Sequence, residues 1–315
     1  MSDTALLQRL RAEVSGDVRA GEPLAAHTTL RVGGPAAALV RATTVDDLLA
    51  VAGICRELQR PWLILGRGSN LLVADAGWPG VVVALGRGFR GVRVDGDDVR
   101  AGAAEPMPVL ARIVARAGLA GLAFGVAIPG SLGGAVRMNA GAMGAELREV
   151  LIWADTVSLG DGRRARLDAA DLAMTYRATA LPADAVVVAA GLRLRREAAA
   201  VIAQQMAAFK QWRRDHQPVN EPSCGSVFRN PQGSSAGRLI DAAGCKGHRV
   251  GGAQVSPRHA NFITAGSGAT AADVAGVIRD VRDAVARHHG IWLEPEVVLA
   301  GFEKDQGEDQ GEERA

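Results

Sequence analysis

Ser226 stands in the run Cys224-Gly-Ser-Val-Phe-Arg-Asn-Pro231. This is not the G-x-S-x-G elbow of hydrolases, and on pattern alone it also suits a serine that opens a strand. Glu296, in Leu-Glu-Pro-Glu-Val-Val-Leu-Ala-Gly at 293–301, puts a carboxylate into an apolar run that reads as a strand. Such a charge is expensive unless it is paired or lies on a strand edge. Tyr176, the only tyrosine, precedes Arg177 in a strand-rich region. Gly66-Arg67-Gly68-Ser69-Asn70 lies between two apolar runs, where small residues let backbone amides converge on an anion such as a pyrophosphate; a tight turn would have the same composition. Ile128–Gly144 holds five glycines in 17 residues without helix or strand periodicity. That entropy cost points to close backbone approach to a flat or charged ligand.

Other motifs carry less. Gly86-Arg-Gly-Phe-Arg-Gly91 matches G-x-G-x-x-G after a strand, but a second strand follows instead of the helix a dinucleotide site requires, so it reads as a connection. His288-His289 end a helix, His248 and His259 have no partners at ligand spacing, and Cys55, Cys224 and Cys245 fit neither a redox pair nor a zinc site. No metal is expected, and the thiols read as reduced.

The elements that must position these residues fall into three regions. Thr44 and Asp47 form a capping-box signal for a helix at about 45–58, followed by strands at 62–65, 71–75 and 81–85. From Gly91 the pattern changes to a hairpin with a Gly96-Asp97 turn, a helix closed by Gly118, and two long strand-like runs. A helix within 198–218 leads to a β-α-β-β-α-β unit at about 222–302, read as self-contained, with Gly225–Phe228 and the 296–301 run as its outer strands. Its long helix starts at Thr270/Asp273 and stops at Gly290. The boundaries expected are 1–88, 89–200 and 201–302, with an acidic disordered tail at 303–315.

At 315 residues, 48% hydrophobic and 22% charged, the chain reads as a multidomain globular protein. No apolar run reaches the roughly 18 residues of a membrane span, and the start lacks a signal-peptide layout, which makes the cytoplasm the expected address. Net charge is +2, with six acids against two bases after Phe302, so the body is mildly basic. The arginines are dispersed and aromatic residues make up 4%, which argues against a nucleic-acid surface and suits an anionic small molecule.

Read together, His27–Ala36, ILGRGSNLLV, IPGSLGGAVRMNAGAMGAE, MTYR, PSCGSVFRNP, LIDAAGCKG, GGAQVSPRHANFI and LEPEVVLAG resemble the UDP-N-acetylenolpyruvoylglucosamine reductase family, in order from about residue 25 to 302. The resemblance implies an α+β fold: a two-part FAD-binding unit of the vanillyl-alcohol-oxidase/PCMH-like type, then an α/β substrate-binding domain. It implies non-covalent FAD, NADPH as co-substrate, and reduction of UDP-N-acetylglucosamine enolpyruvate to UDP-N-acetylmuramate for peptidoglycan, in a protein expected to be monomeric. By similarity, Arg177 and Glu296 polarise the substrate carboxyl group and Ser226 donates a proton. Tyr176, Arg229 and Asn230 contact substrate. Gly66, Arg67, Gly68, Ser69, Asn70, Pro129, Gly130, Gly133, Gly134, Asn139, Ala140 and Gly141 hold FAD. Lys246, Arg214 and His216 are candidates for the diphosphate. The chain resembles the shorter type, without the loop that carries a second active-site tyrosine. It departs from the family at Val298, where arginine is frequent, and at Met143, where an aromatic is common. Two other readings are another FAD-linked oxidoreductase of the same flavin fold, and an inactive nucleotide-sugar or flavin-binding relative.

Overall fold

The computed structural model describes residues 3–302, so the 303–315 tail lies outside the described residues. Helix α1 (Asp3–Glu13) leads into β1 (Asp17–Pro23), β2 (Pro35–Ala42), α2 (Val45–Glu57), β3 (Trp62–Leu65), β4 (Leu71–Val73) and β5 (Trp78–Leu85). Strands β2, β5 and β3 are parallel, with β1 antiparallel at the edge, in the order β1-β2-β5-β3. Helix α2 begins at the expected signal: Asp47 N donates to Thr44 Oγ1 at 3.1 Å, and Thr44 N donates to Asp47 Oδ2 at 3.0 Å. Its buried Leu48, Val51, Ile54 and Cys55 pack with Leu6 and Leu10 of α1 on Val40, Val81 and Val83.

The second unit comprises β6 (Val92–Asp95), β7 (Asp98–Gly102), α3 (Met107–Arg116), β8 (Leu119–Ala120), α4 (Leu132–Arg137), the small hairpin β9 (Gly141–Ala142) and β10 (Ala145–Glu146), β11 (Leu151–Ser158), β12 (Arg164–Asp168), β13 (Ala185–Arg193) and β14 (Arg195–Arg196). Its main sheet is antiparallel, in the order β12-β11-β13-β7-β6. Leu110 and Val114 of α3 and Leu132 and Val136 of α4 share a core with Ala101, Leu151 and Ala190 of the sheet. The glycine-rich stretch at 128–144, expected to be irregular, winds its middle into α4. At six residues that helix is too short for a hydrophobic period to register.

Helix α5 (Ala199–His216) read as the opening of the last unit. It instead buries Ile202 and Met206 against Ala111, Ala115 and Val126 of the second. The last unit then contains α6 (Ala236–Ala242), β15 (Arg249–Val250), β16 (Ala253–Val255), β17 (Ile263–Ala265), α7 (Ala271–His289) and β18 (Val298–Ala300). Helix α7 has the capping box at Thr270/Asp273, stops at Gly290 in the left-handed region, and buries Val274, Val277, Ile278, Val281 and Val285.

Two expectations about this unit fail. It is not self-contained, because β18 pairs in parallel with β4, Val298 opposite Leu71, and Leu30, Val32 and Leu72 enter its core. Both three-residue strands satisfy one edge by this pairing. Gly225–Phe228 is not a strand: Val227 N donates to Asn261 O at 2.9 Å and Val227 O accepts from Glu296 N at 2.7 Å, so two neighbours use its backbone one bond at a time. Among the described residues no helix is long and apolar enough to cross a membrane.

Candidate active site

The loop Gly66–Asn70 joins β3 to β4 and is locked from three sides. Gly68 has φ +60°, and a Cβ there would fall 2.1 Å from His27 O, so only glycine fits. Its carbonyl accepts from Thr29 N at 3.0 Å. Arg67 Nε donates to Pro129 O at 2.9 Å, tying the loop to the glycine-rich stretch. Asn70 Nδ2 donates to Glu296 O at 2.9 Å, tying it to the last unit. The donor expected at a pyrophosphate is therefore engaged within the protein. Ser69 and Gly130 face each other, since a Cβ on Gly130 would lie 3.5 Å from Ser69 Oγ.

Between the first sheet and the second unit runs a groove of about 740 Å³, within the usual size of small-molecule sites. Gly66, Arg67, Gly133 and Gly134 line it, together with Ser131, Leu63, Leu65 and Val187. So do Arg41, Arg90 and Arg137, and no aspartate or glutamate among the described residues does. Arg137 donates only to the carbonyls of Leu181, Pro182 and Ala185, and burial lowers its guanidinium pKa. A desolvated cation on which one acid, Asp184, acts without bonding it fits a bound phosphoryl group, as does the glycine-lined wall. Dispersed arginines hid this from the sequence, because Arg41, Arg90 and Arg137 come from different elements.

Just before β18, whose Val298 lines the groove, three chain segments meet. Arg177 Nε lies 3.0 Å from Glu296 Oε1, with the side chains 17% and 16% exposed. Arg177 Nη2 donates to Gly141 O at 3.0 Å and Nη1 to Asn139 O at 3.5 Å. A Cβ on Gly141 would fall 2.8 Å from Ala145 O and Glu146 Cγ and 3.1 Å from Arg177 Nη1, so the glycine makes room first for the hairpin and then for the guanidinium. Arg177 itself has φ +56°, a conformation a non-glycine residue adopts at a cost of about 1–3 kcal/mol.

Glu296 is not in a strand, as its apolar surroundings had implied. It precedes β18, its N–H held by Val227 O. Burial pushes its carboxyl above the usual carboxylate range, with Arg177 and Arg229 opposing. Arg229 keeps a buried Nε without a hydrogen-bond partner, while its Nη1 lies 3.6 Å from Glu294. Tyr176 places its ring 4.9 Å from the Arg177 guanidinium carbon, and its hydroxyl accepts from Asn230 N at 3.3 Å. Asn230 Oδ1 accepts from Ala236 N, at the start of α6. Ser226 is half-buried, one residue before the carbonyl that binds Glu296 N. The neighbouring Cys224 thiol is buried and pushed up to about 12, which keeps it un-ionised.

Asn139 corrects an expectation. Its side chain is fully buried, Nδ2 donating to Glu146 Oε2 and Thr175 O and Oδ1 accepting from Arg148 N. Its N–H donates to Val136 O and its carbonyl accepts from Arg177, so it supports the site from beneath instead of contacting a cofactor. Glu146, which sequence reasoning passed over, lies 4.0 Å from Arg177 Nη1.

Comparison with known proteins agrees with this layout. Residues 36–168 match the model of an FAD binding domain, and residues 217–300 that of the UDP-N-acetylenolpyruvoylglucosamine reductase C-terminal domain. A UDP-N-acetylenolpyruvoylglucosamine reductase from Acidiphilium cryptum is 47% identical over 95% of this chain and 94% of its own. One from Halalkalibacterium halodurans is 42% identical over 94% and 98%. The crystal structure of UDP-N-acetylenolpyruvylglucosamine reductase (MurB) from Thermus caldophilus superposes with a TM-score of 0.77 at 36% identity, covering 90% of this chain and 98% of that one. With the arginine-lined groove and the Arg177–Glu296 pair in one fold, the chain belongs to the UDP-N-acetylenolpyruvoylglucosamine reductase family, FAD-dependent oxidoreductases of peptidoglycan synthesis that use NADPH.

Proposed function

We propose that Arg177, Ser226 and Glu296 carry the reduction of UDP-N-acetylglucosamine enolpyruvate to UDP-N-acetylmuramate, with Tyr176, Arg229 and Asn230 against the substrate. The observation that supports this most is the 3.0 Å contact between Arg177 and Glu296, bordered by Tyr176, Arg229 and the peptide after Ser226. FAD, when bound, couples the two substrates, receiving hydride from NADPH and supplying it to the terminal alkene carbon. For FAD we assign the arginine-lined groove, with Gly66, Arg67, Gly68 and Ser69, and the main chain of Pro129, Gly130, Gly133, Gly134, Ala140 and Gly141.

Hydride addition drives the alkene electron pair toward the carbon bearing the carboxylate. Arg177 directs its fork at that carboxylate, where negative charge accumulates. Glu296 can share a proton with it because burial raises its pKa. Ser226 Oγ gives its proton to the carbon, forming the second C–H bond, and regains one from water. A serine is a weak acid, so this step depends on an oriented, strongly basic carbon. Near Asn230, His259 lies half-buried against the start of α6, its pKa lowered first by burial, and Lys246 nearby is paired with Asp241 at 2.7 Å. We assign the diphosphate to Lys246 and His216 beside it. A monomeric enzyme of the cytoplasm completes the reading; sedimentation at one chain mass would support the first part.

Ser226→Ala tests the assignment. Bleaching of the flavin by NADPH survives, while its reoxidation by the enolpyruvyl substrate falls about 10²–10⁴-fold, the range of a lost general acid. Equal loss of both half-reactions would remove Ser226 from the proton-donor role.

A further inference from the structure

Among the described residues, four of the six non-glycine residues with positive φ lie in two facing segments: Asn139 and Met143 in one, Ala173 and Arg177 in the other. One side chain bridges them. Asn139 Nδ2 donates both to Thr175 O, at 2.8 Å, and to Glu146 Oε2, at 3.1 Å, so the turn that carries Arg177 and the carboxylate of Glu146 hang on the same buried amide. Glu146 Oε2 also forms an ion pair with Arg148 Nε at 2.9 Å, and its side chain caps the following turn at Glu149 N. Its other oxygen lies 4.0 Å from Arg177 Nη1, on the opposite edge of the guanidinium from Glu296.

We infer that Glu146, held by Asn139, is a positioning residue for the reduction: a second carboxylate that divides the charge of Arg177 with Glu296 and keeps the fork turned toward the substrate. This inference rests on the catalytic reading of Arg177 and Glu296. The ionisable groups around Glu296 are Arg177, Arg229 and the un-ionised Cys224; those around Glu146 are Arg177, Arg148 and Glu149. With one arginine between two carboxylates, each carboxylate weakens the hold of Arg177 on the other. Neutralising Glu146 therefore hands more of the guanidinium charge to Glu296 and favours its ionised form.

Glu146→Gln keeps the shape and one acceptor oxygen for Asn139, and removes the charge by exchanging the other oxygen for an amide NH2. In the FAD-loaded enzyme the rate of flavin bleaching by NADPH and of recolouring by the enolpyruvyl substrate is followed from pH 5 to 9. The expected result is a recolouring profile whose Glu296-dependent limb moves down by about half a pH unit, with a several-fold higher KM for the enolpyruvyl substrate and unchanged bleaching. Asn139→Ser, which leaves the Glu146 charge but frees its side chain, raises the same KM with a smaller movement of the limb. An unmoved limb in Glu146→Gln, or equal loss in both half-reactions, overturns the inference. Failure of the reading beneath it looks different: the wild-type limb would then persist in Glu296→Gln. Should Glu146→Gln not fold, the same profile is measured on Arg148→Gln. That variant removes the outer cation holding Glu146 and moves the limb the opposite way; no movement there also overturns the inference.

Discussion

Replacing Arg177 by glutamine removes the charge at the centre of the site while leaving a side chain of similar reach. The 3.0 Å contact with Glu296 is a charge-assisted bond between side chains that are both more than four-fifths buried, so solvent screens it little. Such a bond contributes about 1.5–3 kcal/mol. Because Arg177 opposes the burial that already raises the Glu296 pKa, its loss lets that pKa climb further. The donors aimed at the developing carboxylate charge are lost as well, which costs about 10²–10³-fold in rate. Anaerobic stopped-flow absorbance separates these effects. Flavin bleaching by NADPH should stay within a few-fold of the parent, whereas recolouring by the enolpyruvyl substrate should fall 100-fold or more with its Glu296 limb displaced to higher pH. A limb that stays put or moves down would refute the electrostatic coupling, whatever happens to the rate. Arg177→Lys keeps the charge without the planar fork, so its limb should stay near the parent position while the rate remains depressed.

Other perturbations address the scaffold. Asp47 is buried, which alone would raise its pKa, but N–H donors from Ser15, Thr43 and Thr44 outweigh burial and hold it at about 2. A depressed pKa means stability that is complete above the unfolded value near 4 and lost as pH falls toward 2; Asp47→Asn should cost about 2 kcal/mol at pH 7 in urea unfolding, with the difference closing in acid. Gly68→Ala drives a Cβ into His27 O and should weaken FAD binding at least tenfold by fluorescence titration, with normal affinity counting against the loop as a cofactor wall. Arg137→Gln leaves the far ends of the groove intact, so titration of the apoprotein should show weaker FAD binding but little change for riboflavin, which lacks phosphates; equal weakening for both would assign Arg137 to the wall and not to the anion.

The local signals in the sequence proved readable where one segment sets its own structure. The caps of α2 and α7 and the Gly96 turn need no partner beyond a few neighbours, and each formed where the residues indicated. Gly66–Asn70 could be singled out because crowding by His27 leaves no alternative to glycine at 68. What stayed hidden depends on distant chain. Nothing in Leu71–Val73 or Val298–Ala300 announces that they pair, and Gly225–Phe228 has the composition of a strand but no free ladder to join. The left-handed backbone of Arg177 belongs to the tight turn closed between Thr175 and Ala178, which Asn139 holds through Thr175 O from another segment, and Glu146 reads as an ordinary surface acid until the hairpin brings it to the guanidinium.

The pairing of β18 with β4 also bears on when the groove wall can close. Val298 forms part of the groove wall and Ala300 part of the core beneath the first sheet, yet both emerge from the ribosome long after Leu71–Val73, the strand they complete. Long-range closures of this kind are slow, and the nascent first unit must wait with Leu71–Val73 unpaired on one edge. A released fragment ending before residue 298 would present that edge to other chains. Closure of the groove wall is thus tied to the synthesis of β18, and aggregation is the expected fate of fragments that end before it.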